Sequence, residues 1–260
     1  MVPKAYITAW RNKAPWQEDY QVEQDLVIER SLMAIYEDDF LRERLAFRGG
    51  TALHKLHLAP AVRYSEDIDL VQIKAESFGP VIDRLREALS FLGDNPARKQ
   101  KRHNNTLIYR FNSEDDIPLR LKVEVNCREH HTIYGIKNMP YKMESEWYRG
   151  EVSIPTYELA ELLGTKMRAM YQRSKGRDLF DMWYAMKQTS VEPSEILEAW
   201  NFYMVNEQHS VSKQEFIDNM ERKAGDKEFI GDMEGLLKPA IIYKVDDAYE
   251  FVKEELLEKI

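Results

Sequence analysis

Two short strings between Phe47 and Leu70 constrain this chain more than any other feature. The first, Phe47-Arg48-Gly49-Gly50-Thr51-Ala52-Leu53-His54, sets two glycines and a threonine at the mouth of a helical apolar pattern. A Gly-Gly-Thr turn opening a helix offers bare backbone amides and a hydroxyl. Because amides at a helix N-terminus carry the positive end of its dipole, such a turn suits a polyphosphate. Thr51 is expected in the first turn, where a hydroxyl also caps. The second string, Arg63-Tyr64-Ser65-Glu66-Asp67-Ile68-Asp69-Leu70, alternates carboxylates with aliphatic side chains. In a strand, a period of two sets Asp67 and Asp69 on one face and turns Ile68 and Leu70 toward a core. Carboxylates aligned in this way repel each other unless a cation lies between them. With carboxylate oxygens and substrate phosphates, that cation is usually Mg2+.

A second alternation runs through Leu119-Arg120-Leu121-Lys122-Val123-Glu124-Val125-Asn126, with Arg120, Lys122, Glu124 and Asn126 sharing the polar face. If this strand pairs beside the Asp67/Asp69 strand, Glu124 joins the two aspartates. The alternative is Glu124 paired with Lys122 or Arg120 on an exposed sheet face. Farther on, Leu159, Leu163, Lys166 and Met170 fall on one helical stripe, with Thr156 as a candidate cap. A lysine on an apolar stripe either snorkels to water or meets an anion. On this reading Lys166→Met keeps the helix packed. Asp178 and Asp181 follow on one helical face opposite Leu179, Trp183 and Met186.

The Gly-Gly-Thr turn and the Asp-x-Asp strand together resemble the signature of the polymerase beta-like nucleotidyltransferase superfamily. In their fuller form they are similar to the AbiEii/MenT-type nucleotidyltransferase toxin family. The resemblance is specific over Phe47 to Leu70 and around Lys166 to Asp181, and architectural elsewhere. It implies an α/β fold: a polymerase beta-like nucleotidyltransferase core with a short mixed sheet, a C-terminal helical bundle, and an active cleft between them. The implied domains are residues 1–152, the core with an N-terminal packing helix, and 153–260, the bundle.

The implied activity is Mg2+-dependent transfer of NMP from an NTP to an RNA acceptor such as the tRNA 3′ end. The protein would be the toxin of a type IV-like toxin-antitoxin or abortive-infection system, beside a separately encoded antitoxin. Asp67, Asp69 and Glu124 would serve a two-ion Mg2+ site, and Gly49, Gly50 and Thr51 would surround the β and γ phosphates. Arg63 and Lys166 would act on phosphate charge, and Ser65 would shape the turn ahead of the strand. Asp178 is favoured over Asp181 as the family's further acid. Transfer to a small molecule of the aminoglycoside kind, transfer to a protein, and non-catalytic nucleotide binding are the competing readings.

A long amphipathic helix is expected from about Glu18 to Leu45, its acidic run Glu37-Asp38-Asp39 solvated. A helix from about Phe78 to Leu92 follows the Asp67/Asp69 strand. The densest basic cluster, Arg98-Lys99-Gln100-Lys101-Arg102-His103, precedes a strand expected over Thr106 to Phe111. There it would either meet phosphates of a second substrate or protect a sheet edge. Amphipathic helices are expected over Ile196–Val205, Ser212–Arg222 and Asp246–Lys259. The formal net charge of −8 argues against nucleic-acid binding by the whole surface while leaving room for a local basic site. Cys127 is the only cysteine, which excludes an internal disulfide framework or a Cys-rich zinc site and suits a reducing compartment. No apolar run approaches membrane-spanning length, and no signal-peptide core is apparent at the N-terminus, so a cytoplasmic protein is expected.

Overall fold

The computed structural model describes residues 2–260, in two compact units, one up to Tyr157 and one over Glu158–Ile260. The first unit begins with α1 (Lys4–Trp10), α2 (Asp19–Glu37) and α3 (Asp39–Arg42). A capping box between Glu18 and Gln21 starts α2. The helix expected to reach Leu45 stops at Glu37, because Asp38 turns extended and caps α3 through the amide of Leu41. The acidic run is therefore fastened rather than merely solvated. Glu37 accepts from the Tyr148 hydroxyl and Asp38 from Arg84.

Seven strands follow: β1 (Leu45–Arg48), β2 (Asp67–Gln72), β3 (Ala97–Gln100), β4 (Asn104–Asn112), β5 (Pro118–Asn126), β6 (Ile136–Glu144) and β7 (Arg149–Tyr157). They form one sheet in the order β3-β4-β5-β2-β1-β7-β6. It is a mixed sheet, since β2 runs parallel to β5, and β1 parallel to β7, while the other neighbours are antiparallel. Between β1 and β2 the chain makes α4 (Gly49–Ala52), which continues as a π-helical turn, Leu53–His57. Between β2 and β3 it makes α5 (Gly79–Ala88) and a 3-10 turn, Ser90–Leu92.

One sheet face is apolar, with Phe47, Ile68, Leu70, Leu107, Leu121, Val123 and Val125 all buried. Helix α2 lies against β5, β6 and β7 and buries Val22, Leu26, Val27, Leu32 and Met33 completely. Each such side chain contributes roughly 1.5–3 kcal/mol.

Three details differ from the sequence expectations. The basic run does more than precede a strand, since Ala97–Gln100 is itself the edge strand β3. The long β6–β7 hairpin was not anticipated, and β7 runs through the expected 152/153 boundary. Thr156, the expected helix cap, is buried inside β7 and donates to the Phe47 carbonyl at 2.7 Å.

The second unit is helical: α6 (Leu159–Gln172), α7 (Gly176–Gln188), α8 (Pro193–Asn206), α9 (Lys213–Ala224), α10 (Lys227–Gly231) and α11 (Val245–Glu255). Its core gathers Leu163, Met167, Met170, Phe180, Met182, Trp200, Phe216 and Val252. Helices α6 and α8 approach closely at Gly164, where a Cβ would press on Ala199 and the backbone of Trp200. A capping box between Ser212 and Glu215 starts α9. Among the described residues no helix is long and apolar enough to cross a membrane.

Candidate active site

Strand register brings the three predicted carboxylates onto one face. In the parallel β2–β5 ladder Asp67 is level with Lys122 and Asp69 with Glu124, and partners in a ladder project to the same side. Each outer carboxylate already has a partner. Lys122 Nζ lies 3.0 Å from Asp67 Oδ2, and Glu124 accepts from Asn104 Nδ2 at 2.8 Å and Thr106 Oγ1 at 3.2 Å. Arg48 is level with Asp69 on the far side, its guanidinium paired with Glu129. Burial pushes the Arg48 pKa down, but the carboxylates of Glu129 and Asp69, together with Tyr157, carry it above its ordinary value.

The donor chemistry fits a hard divalent cation, since all three side chains offer carboxylate oxygens on a common face. The ammonium of Lys122 supplies positive charge at Asp67, where a cation would otherwise be needed. Among the described residues no group of three or more acidic, His or Cys side chains is drawn together as a metal cage.

The glycine turn abuts one of these carboxylates, Asp69, for a steric reason. Gly49 has φ +78°, and a Cβ there would collide with the Asp69 carboxylate. A Cβ on Gly50 would collide with the Arg63 guanidinium, itself buried. Only glycines let the backbone pass this close to an anion on one side and a cation on the other.

Thr51 does not cap α4. It is buried, donates to the Asp67 carbonyl at 2.6 Å and lies 2.7 Å from the Ser65 hydroxyl, so Thr51 and Ser65 clamp the turn to the start of β2. Downstream, the π-helical turn is anchored to α2, since Lys55 Nζ is 2.8 Å from Asp25 and 2.7 Å from Glu29, all three nearly buried. Burial lowers the Lys55 pKa, but the two carboxylates outweigh it and hold the group protonated. Sequence reasoning missed this anchor. Its signal was a pair of acids four apart on a helix otherwise facing the core.

In the helical unit, the anion that Lys166 meets is a pair of its own aspartates. Lys166 Nζ lies 3.1 Å from Asp178 Oδ1 and 2.9 Å from Asp181 Oδ2, with both carboxylates fully buried. Arg173 adds a two-pronged contact to Asp178 at 2.7 and 2.8 Å. A cavity of about 460 Å³ between α1 and the β6–β7 hairpin, lined by Tyr6, Trp10, Lys13, Glu144 and Arg149, contains none of the candidate residues.

A mixed sheet that sets three carboxylates on one face, with Asp69 against a glycine turn, has the arrangement of a nucleotidyltransferase core. The family model described as "Nucleotidyl transferase AbiEii toxin, Type IV TA system" matches residues 30–251, and the chain belongs to this family of nucleotidyltransferase toxins. The fold is similar to that of MenT4, a nucleotidyltransferase toxin from Mycobacterium tuberculosis H37Rv. The TM-score is 0.67 at 15% identity, covering 100% of this chain and 91% of that one. It is also similar to JHP933 from Helicobacter pylori, with TM-score 0.52, 16% identity and 93% of each chain covered. A putative nucleotidyltransferase from H. pylori gives TM-score 0.52 at 15% identity, over 93% of this chain and 96% of that one. No curated protein matches the sequence significantly. Membership in the family implies an NTP substrate and a cognate antitoxin.

Proposed function

We propose that this nucleotidyltransferase transfers NMP from an NTP to an RNA acceptor, such as the tRNA 3′ end, as the toxin of a type IV-like system. The observation that carries the reading is the β2–β5 register, with Asp69 level with Glu124 and Asp69 itself against the Gly49 turn. Asp67, Asp69 and Glu124 would hold two Mg2+ ions, whose chemistry is neutralising phosphate charge and lowering the pKa of the attacking hydroxyl.

The chain's own residues do the remainder. The amides of Gly49 and Gly50 receive the β and γ phosphates, and Arg63, pressed against Gly50, supports the negative charge that builds there. Thr51 and Ser65 keep that turn seated on β2. Glu124, oriented by Asn104 and Thr106, accepts the proton of the incoming hydroxyl. On the family resemblance Lys166 is assigned to the triphosphate, its ammonium oriented by Asp178 and Asp181.

The test is incubation with each labelled NTP, Mg2+ and total RNA. Label entering tRNA supports the reading. Label appearing only on protein or on a small-molecule acceptor rejects it in favour of one of those substrates.

A further inference from the structure

We infer that Arg110 and Arg120 form a clamp for the phosphodiester backbone of a single-stranded nucleic-acid acceptor. This inference rests on the RNA reading above and adds where on the sheet the strand is held. The antiparallel β4–β5 ladder places Arg110 directly opposite Arg120. The same ladder pairs Thr106 with Glu124, so the two arginines share the face of Lys122, Glu124, Asp67 and Asp69. Both are exposed.

Like charges opposed on neighbouring strands destabilise a sheet and are normally relieved by a carboxylate. Among the described residues neither guanidinium has one, although the chain as a whole carries a net charge of −8. A basic pair left unpaired in an acidic protein suits an external anion, and the guanidinium fork matches phosphate oxygens.

Position selects the anion. In the strand order, β1 and its glycine turn flank β2 on one side, and β5 and β4 flank it on the other. Arg120 is four residues from Glu124, about 13 Å along β5 at the usual rise per residue. The triphosphate cradle and the arginine pair therefore lie on opposite sides of Asp67 and Asp69. In-line phosphoryl transfer needs that arrangement, with the attacking and leaving oxygens roughly opposed. The arginines accordingly belong to the acceptor. An acceptor hydroxyl at Glu124 would carry its preceding phosphates back along β5 toward Arg120 and Arg110.

The experiment uses the full chain and a 5′-labelled single-stranded RNA oligonucleotide, with binding followed by anisotropy across a salt series. Arg110→Gln/Arg120→Gln should weaken RNA binding about tenfold and reduce the logarithmic salt slope by roughly 0.7 for each phosphate no longer engaged. NTP affinity should be unchanged and the melting temperature should not fall, because no internal ion pair is broken and the repulsion between the opposed charges is removed. Arg110→Lys/Arg120→Lys should restore the slope. If the parent binds RNA and the Gln pair binds it equally with the same slope, the clamp is wrong while the RNA reading stands. If NTP affinity falls in step with RNA affinity, the arginines serve the triphosphate and the inference is overturned. A parent that neither binds nor labels RNA removes the RNA reading, and this inference with it.

Discussion

Asp69 on β2 stands level with Glu124 on β5, and the two carboxylates share one face of the sheet. The arrangement depends on a parallel ladder between strands separated by α5, β3 and β4 in sequence, so it is a tertiary fact. Asp67 extends the group along β2, held meanwhile by Lys122. Asp67→Ala or Asp69→Ala should lower transfer at least about a hundredfold, the scale of losing an electrostatic catalytic group. For Asp67 the stability cost should stay under ~1 kcal/mol, because its pair with Lys122 is about one-third exposed. Activity assays beside thermal unfolding check both, and full activity in the two variants would remove the metal assignment.

Gly49→Ala should be costly on two counts. It forces a side chain onto a backbone at φ +78° and drives that side chain into the Asp69 carboxylate. A destabilisation of more than ~1 kcal/mol follows from the backbone alone. Displacing Asp69 by about 1 Å should reduce kcat on the order of a hundredfold. A variant with native kcat would show that Asp69 needs no such close placement.

The apolar stripe of α6 suggests that Lys166→Met is harmless, and the structure reverses that expectation. Removing the ammonium takes the Lys166 cation from the buried Asp181 and leaves Asp178 with Arg173 alone, and breaking a buried pair in this way typically costs about 3–5 kcal/mol. Urea unfolding should show the loss, and adding Asp178→Asn and Asp181→Asn should recover much of it. An unaltered unfolding midpoint in Lys166→Met would contradict the buried cluster.

The same cluster sets an acid limit. Burial alone would raise the Asp178 pKa, but Lys166 and Arg173 outweigh it and hold the group below its ordinary value of 3.8. A folded pKa below the unfolded one stabilises above that unfolded value, and the contribution drains away as pH falls through the folded one. Stability should therefore drop steeply below about pH 4. Asp178→Asn should be less stable at neutral pH and flatter across the acid limb, which a Tm-versus-pH series measures.

The basic run of edge strand β3 and the residues that follow it offers a complementary test of the acceptor. Neutralising Arg98, Lys99, Lys101 and Arg102 should lower RNA affinity and flatten its salt dependence by roughly 0.7 to 0.9 per phosphate released. NTP binding should be spared. Identical RNA transfer at every salt concentration would reduce β3 to a charged guard on the sheet edge.

Local pattern was enough for Asp67 and Asp69 to share a strand face, for Glu124 to sit on the polar side of its own strand, and for Ser212 to start α9. Each depends only on a period of two or on a capping side chain within three residues. Tertiary structure decided everything requiring a distant partner. Whether Glu124 meets Asp69 or a lysine depends on which strand lies beside β5. Whether Lys166 faces water or an anion depends on α7 folding back to offer Asp178 and Asp181. Thr51 and Thr156 read locally as caps, yet each hydroxyl is taken by a carbonyl of a different element, Asp67 on β2 and Phe47 on β1 respectively. A hydroxyl satisfies whichever acceptor packing brings to it, and sequence periodicity records the face a residue occupies without recording what the fold places opposite.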